Sequence, residues 1–162
     1  DMAGPYYYAT IVCVTTADGP YADAASIDDL AGGLCTAQSG TIWYDSCLPQ
    51  IPDAQIKAPA ETAPAMVMDL QSGTVDFICT DLPTATAAAA KNDRLVILNF
   101  EGTDGDFQFA SEEERAENVN IGMSVEKGNT QLRDAINTVV SALTPDQFNI
   151  LMEQAIAVQP VI

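Results

Sequence analysis

Short apolar, β-branched runs alternate along this chain with stretches whose apolar residues recur every three or four positions. The runs predict strands at residues 8–15, 33–38, 54–58, 75–80, 95–98 and 119–125. Between them lie helix signals. Ser26-Ile27-Asp28-Asp29 resembles a capping box opening a short helix. Residues 42–48 are expected to be helical after a Gly-Thr turn, and residues 61–71 to form a helix that Gly73 helps to end. Residues 83–91 are alanine-rich and make the strongest isolated helix former. Strands alternating with helices predict an α/β domain of three layers, with a mainly parallel sheet and helices on both faces.

The last third changes character. Leu132, Ile136, Val139, Val140 and Leu143 have the spacing of one helix face over residues 130–143. Thr144-Pro145-Asp146-Gln147 then reads as an N-cap, a first-turn proline and a capping-box glutamine. The helix it opens runs to about Val158, with Phe148, Leu151, Met152 and Ile156 apolar. Two amphipathic C-terminal helices following an α/β unit need a surface to cover.

Composition narrows the chemistry. At 162 residues the chain suits one domain or slightly more. No run approaches the roughly 18 consecutive apolar residues of a membrane span. A basic, apolar leader is absent, so any secretion signal is expected outside these residues. Twenty-three acids against 6 bases give a formal charge of -17, which repels phosphate backbones and anionic headgroups and argues against nucleic-acid binding. The chain has no histidine, which removes the commonest general base, the commonest zinc ligand and every Ser-His or Cys-His triad. Cys13, Cys35, Cys47 and Cys79 form no Cys-x-x-Cys pair. Cys13, Cys35 and Cys79 sit in apolar runs, as buried free thiols do; an extracytoplasmic setting would equally permit a disulfide. Residues 101–106 are acidic and Gly-rich, but their spacing misses the EF-hand pattern and reads as a solvated loop.

Ligands of open α/β sheets bind beyond the carboxyl ends of the strands, and two such ends are chemically distinctive. Gln38-Ser39-Gly40-Thr41 leads from a predicted strand into a predicted helix. Gly40 lets backbone approach a ligand closely, the helix start offers N–H groups to an anion, and Thr41 adds a hydroxyl. Thr41 would otherwise simply cap the helix. Asp81 ends the strand at 75–80 and opens the helix at 83–91; it is either a cap or an acceptor for a ligand ammonium. A carboxylate binder and an ammonium binder facing one crevice suit the head group of an α-amino acid. Trp43 follows the turn and either packs on the sheet or touches the ligand side chain.

Taken in order, Pro5-Tyr6-Tyr7, Ser26–Gly32, Gly40-Thr41, Gly73–Asp81 and Gly122–Asn129 resemble the motif series of the polar amino-acid substrate-binding proteins of ABC transporters, which have the type II periplasmic-binding-protein fold. The resemblance covers nearly the whole chain. It implies that residues 1–16 cross from a missing first lobe, 17–118 form the second lobe, and 119–162 return to lobe one or the hinge. It implies that Gly40 and Thr41, with Ser39 and Trp43 beside them, contact the ligand, and that Asp81 takes its ammonium; Asp76 would be structural. The family's first-lobe half, with the arginine that clamps the ligand carboxylate, has no counterpart here: Arg94, Arg115 and Arg133 fall at none of its positions. The implied partners are an amino acid and an ABC permease, with no cofactor, no metal and no catalysis. The implied location is extracytoplasmic, as a periplasmic protein or a cell-surface lipoprotein. Two alternatives share the fold: the sensing module of a receptor or kinase, and a cyclohexadienyl-dehydratase-like enzyme. With lobe one missing, the chain is expected to self-associate.

Overall fold

A computed structural model describes residues 1–158, and the chain divides into two compact units. The first, within Thr10–Phe109, is built on five strands: β2 (Ile11–Thr16), β3 (Leu34–Ala37), β4 (Gln55–Ile56), β5 (Phe77–Asp81) and β6 (Leu95–Leu98). They lie in the order β4-β3-β5-β2-β6. β3 is parallel to β4 and β5, whereas β2 is antiparallel to both β5 and β6. Four strands therefore share one direction and β2 alone opposes them. Ile11 to Thr15 are all buried, because a strand with a neighbour on each edge and cover on each face needs a continuous apolar run. The core around it includes Leu30, Leu48, Met66, Leu70, Phe77, Ile78 and Phe107, each at most 2% exposed. Its buried hydroxyls are satisfied: Thr15 donates to the Asp76 carbonyl at 2.8 Å and Thr36 to the Ala58 carbonyl at 2.9 Å.

Helices α1 (Ala63–Gln71) and α2 (Leu82–Ala89) start where the sequence supplies caps. Thr62 accepts from the Ala65 N–H and Asp81 from the Thr84 N–H. Ser26 and Asp29 satisfy each other, Asp29 N–H donating to the Ser26 hydroxyl at 3.2 Å and that hydroxyl to the Asp29 carboxylate at 2.9 Å. The segment they open is one 3-10 turn, Asp28–Leu30.

The second unit comprises Asp1–Ala9 and the segment from Ala110 onward. Strands β1 (Met2–Tyr8) and β7 (Asn120–Ser124) pair antiparallel, and α4 (Thr130–Ser141) packs on β1. Asn137 accepts from the Gly4 N–H at 2.9 Å, and the Tyr6 and Phe148 rings lie 6.0 Å apart. The predicted cap of α5 (Pro145–Val158) forms in full. Gln147 N–H donates to the Thr144 hydroxyl, and Thr144 N–H to the Gln147 side-chain carbonyl.

Three elements differ from expectation. The strand at 8–15 is two strands, β1 ending at Tyr8 and β2 starting at Ile11, because the chain changes sheets there. The helix at 42–48 is a wide π turn, Trp43–Cys47, and then a 3-10 turn, Leu48–Gln50. Pro49 brings no N–H to donate back to the preceding turn, and its ring crowds the carbonyl four residues earlier, so a regular α-helix does not extend through it. Helix α3 (Glu112–Val119) was not anticipated. Its apolar face is thin, and the available signal was Ser111, which caps it by accepting from the Glu114 N–H at 3.1 Å. Among the described residues no helix is long and apolar enough to cross a membrane.

Candidate functional site

Parallel strands β3 and β5 are neighbours in the register Cys35↔Phe77 and Ala37↔Cys79. Their carboxyl ends therefore leave the sheet side by side, and the Ser39–Thr41 turn and Asp81 share one edge. Gly40 has φ +70, and a Cβ built there would meet nothing within 4 Å, so this turn is open above the sheet. The Thr41 hydroxyl donates to the Gln38 carbonyl at 2.7 Å, which closes the turn on itself. Its own carbonyl accepts from the Tyr44 and Asp45 N–H groups. The N–H groups of the first turn of such a segment have no acceptor within it and point outward, towards an anion.

Asp81 is half-buried. One carboxylate oxygen accepts from the Thr84 N–H at 2.8 Å and the other from the Thr84 hydroxyl at 3.1 Å. The residue is thus a helix cap, and a rigid one. Each carboxylate oxygen carries two lone pairs, so a capping aspartate can still accept from a cation that reaches the edge. Trp43 is only 8% exposed, and the turn that carries it packs on β3 and β5. Ser39 is exposed beside Gly40. Asp76 ties β3 to β5: its carboxylate accepts from the Leu34 N–H and its own N–H donates to the Leu34 carbonyl, both at 2.8 Å.

Local pattern gives Thr10 no role and places Glu101 in a solvated loop. β2 runs antiparallel to β5 with Ile11 opposite Asp81, so the start of β2 lies at the same edge. There the Thr10 carbonyl accepts from the Leu82 N–H at 2.9 Å, and its hydroxyl donates to the Glu101 carboxylate at 2.9 Å.

The four cysteines lie beneath this edge, buried and free. Cys13 and Cys79 are directly opposite across β2 and β5. Burial pushes the Cys35 thiol up to about 12, with Cys13 and Asp76 adding to the shift. Burial, then the neighbouring Cys13 and Cys47, raise Cys79 well above an ordinary thiol. Such thiols are not nucleophiles. Among the described residues no group of three or more His, Cys, Asp or Glu is placed to hold a metal ion.

No protein-family model matches the chain. Among curated proteins it is similar to a candidate ABC transporter arginine-binding protein of Escherichia coli K12. The two are 25% identical over 142 residues, covering 88% of this chain and 53% of that protein. Among solved structures it is similar to the substrate-binding protein of an amino acid ABC transporter, with a TM-score of 0.69 and 26% identity over 95% of this chain and 62% of that one. It is also similar to holo ArgBP from T. maritima, with a TM-score of 0.65 and 25% identity over 95% of this chain and 61% of the other. The chain thus spans 53% of the length of the curated relative and 61–62% of the solved chains.

Proposed function

We infer that this chain, which belongs to the amino-acid substrate-binding proteins of ABC transporters, is the ligand-gripping second lobe of such a protein together with its C-terminal return segment. In this reading an amino acid lies along the carboxyl edge of the β4-β3-β5-β2-β6 sheet. Its carboxylate faces the turn at Ser39, Gly40 and Thr41, and its ammonium meets Asp81. A first lobe outside these residues closes over it, and the two-lobed protein delivers it to an ABC permease outside the cytoplasm.

The observation that carries the reading is the adjacency of β3 and β5 in parallel. It brings the strand ends that carry the turn and Asp81 side by side, neighbouring strands lying about 4.8 Å apart. The ammonium and carboxylate of an α-amino acid hang on one carbon, about 2.5–3.5 Å apart, so groups on two neighbouring strand ends can meet both, and water no longer competes once a lobe closes over them. The name of the curated relative makes arginine the first ligand to try. The buried Trp43 serves the site by packing under the turn.

A thermal-shift panel of the amino acids on the two-lobed protein tests this. A ligand that binds only the folded state raises Tm by mass action, equivalent to about 2.7 kcal/mol at a hundredfold excess over Kd. At least one amino acid is expected to do so; a flat panel rejects the reading. Aromatic product released from prephenate would instead identify an enzyme on the same fold.

A further inference from the structure

We propose that Glu101, positioned by Thr10, reads the cationic side chain of a basic amino acid held at this edge; the inference rests on the reading of the edge given above. The sheet order carries it. The carboxyl ends of β3, β5 and β6 and the amino end of β2 share one edge, because β2 alone is antiparallel. Along that edge the polar groups follow in a fixed sequence: the Ser39–Thr41 turn beyond β3, Asp81 at the end of β5, Thr10 before β2, and Glu101 beyond β6. An amino acid whose carboxylate faces the turn and whose ammonium meets Asp81 has its side chain free to continue in the same direction, towards Thr10 and Glu101.

The glutamate is held there. Its N–H donates to the Asn99 side chain at 3.0 Å, and the preceding Phe100 is 3% exposed, which anchors the turn in the core. The Thr10 hydroxyl donates to its carboxylate at 2.9 Å. Thr10 is itself tied to the residue after Asp81 through the Leu82 N–H. Two strand spacings separate β6 from β5, roughly 10 Å. A long basic side chain and the glutamate's own methylenes together cover that span, while a short neutral side chain does not. A carboxylate accepts about four hydrogen bonds and takes a guanidinium in bidentate fashion, and the Thr10 contact orients it. The formal charge of -17 also attracts a cationic ligand and repels an acidic one at long range.

Calorimetry on the two-lobed protein decides it, with L-arginine and its near-isosteric neutral analogue L-citrulline as probes. The unsubstituted protein is expected to prefer arginine. Glu101→Gln, which keeps an acceptor for Thr10, is expected to weaken arginine about tenfold or more and leave citrulline unchanged. Thr10→Val should produce part of that loss and Thr10→Ser should restore it, which a purely structural threonine would not do. Arginine binding unaltered in Glu101→Gln, or an equal loss for citrulline, overturns the role of Glu101. An unsubstituted protein that prefers neutral amino acids also overturns it, while leaving the edge site intact. A protein that binds no amino acid overturns the edge site and this inference together.

Discussion

Asp81 serves the fold and, in the proposed reading, the site as well. Its carboxylate caps α2 through the Thr84 N–H and hydroxyl, so its position is set before any ligand arrives. That makes Asp81→Ala an ambiguous test, because losing a cap costs about 1 kcal/mol of stability. Asparagine caps as well as aspartate but carries no charge. Asp81→Asn is therefore expected to leave Tm nearly unchanged while weakening amino-acid binding by about 2–5 kcal/mol, the cost of leaving a buried ammonium without its partner. Calorimetry giving an unaltered dissociation constant would reduce Asp81 to a cap. Gly33 is constrained differently. A Cβ there would lie 2.5 Å from Phe77 Cε1 and 2.9 Å from the Tyr21 ring, whose edge-to-face contact with Phe77 spans 5.6 Å. Gly33→Ala should cost about 1–3 kcal/mol by overpacking, read as a lower urea midpoint; an unchanged midpoint would mean that the ring pair yields freely.

At the scale of elements, the central strands β2 and β5 carry facing thiols, Cys13 and Cys79, and burial keeps Cys79 protonated. Cys13, Cys35, Cys47 and Cys79 are all buried, so a thiol reagent at pH 8 should label none of them in the native protein and all of them in denaturant. Rapid native labelling would mean that this sheet opens readily. The raised Cys35 and Cys79 values have a thermodynamic consequence. Below the ordinary thiol value of 9.0 folded and unfolded chains are both protonated. Above it the unfolded chain releases protons that the folded chain retains up to about 12, so stability falls as pH rises through that window. Thermal melts from about pH 9 to about pH 12 should show this decline, and Cys35→Ala with Cys79→Ala should flatten it; an identical slope in the variant would assign the decline to other groups.

The whole chain presents apolar surface on its C-terminal helices. Leu132 and Val139 on α4, and Ile150, Leu151 and Val158 on α5, are 46–80% exposed. Monomeric proteins rarely leave contiguous apolar patches of more than a few hundred Å2 uncovered. The isolated chain is therefore expected to self-associate through these helices, against the repulsion of its net charge, and more strongly as salt screens that repulsion. Light scattering at micromolar concentration, in low and moderate salt, checks this. A monodisperse monomer in both would mean that the charge outweighs the apolar faces.

What the sequence determined by itself was whatever is encoded locally. The capping box at Thr144–Gln147 forms as read, and Ser26 and Asp29 bond to each other without capping a helix, since each pair bonds within its own turn. The apolar run before Thr16 is a buried strand, and the α/β class follows from its alternation with helices. The Gly40-Thr41 turn and Asp81 could be singled out because each sits at a junction between strand and helix. The local pattern also misled at 42–48, where Pro49 and the π turn replaced a helix, and it left α3 unseen because polar residues dominate it. Only the tertiary structure decided which strands are neighbours and in which direction they run. Strand pairing is set by contacts between distant residues, such as Cys13 with Cys79 and Leu98, which no local periodicity reports. The reversal of β2 between β5 and β6 places Thr10 and Glu101 at the edge where Asp81 already stands, and turns what read as a solvated loop into part of the candidate site.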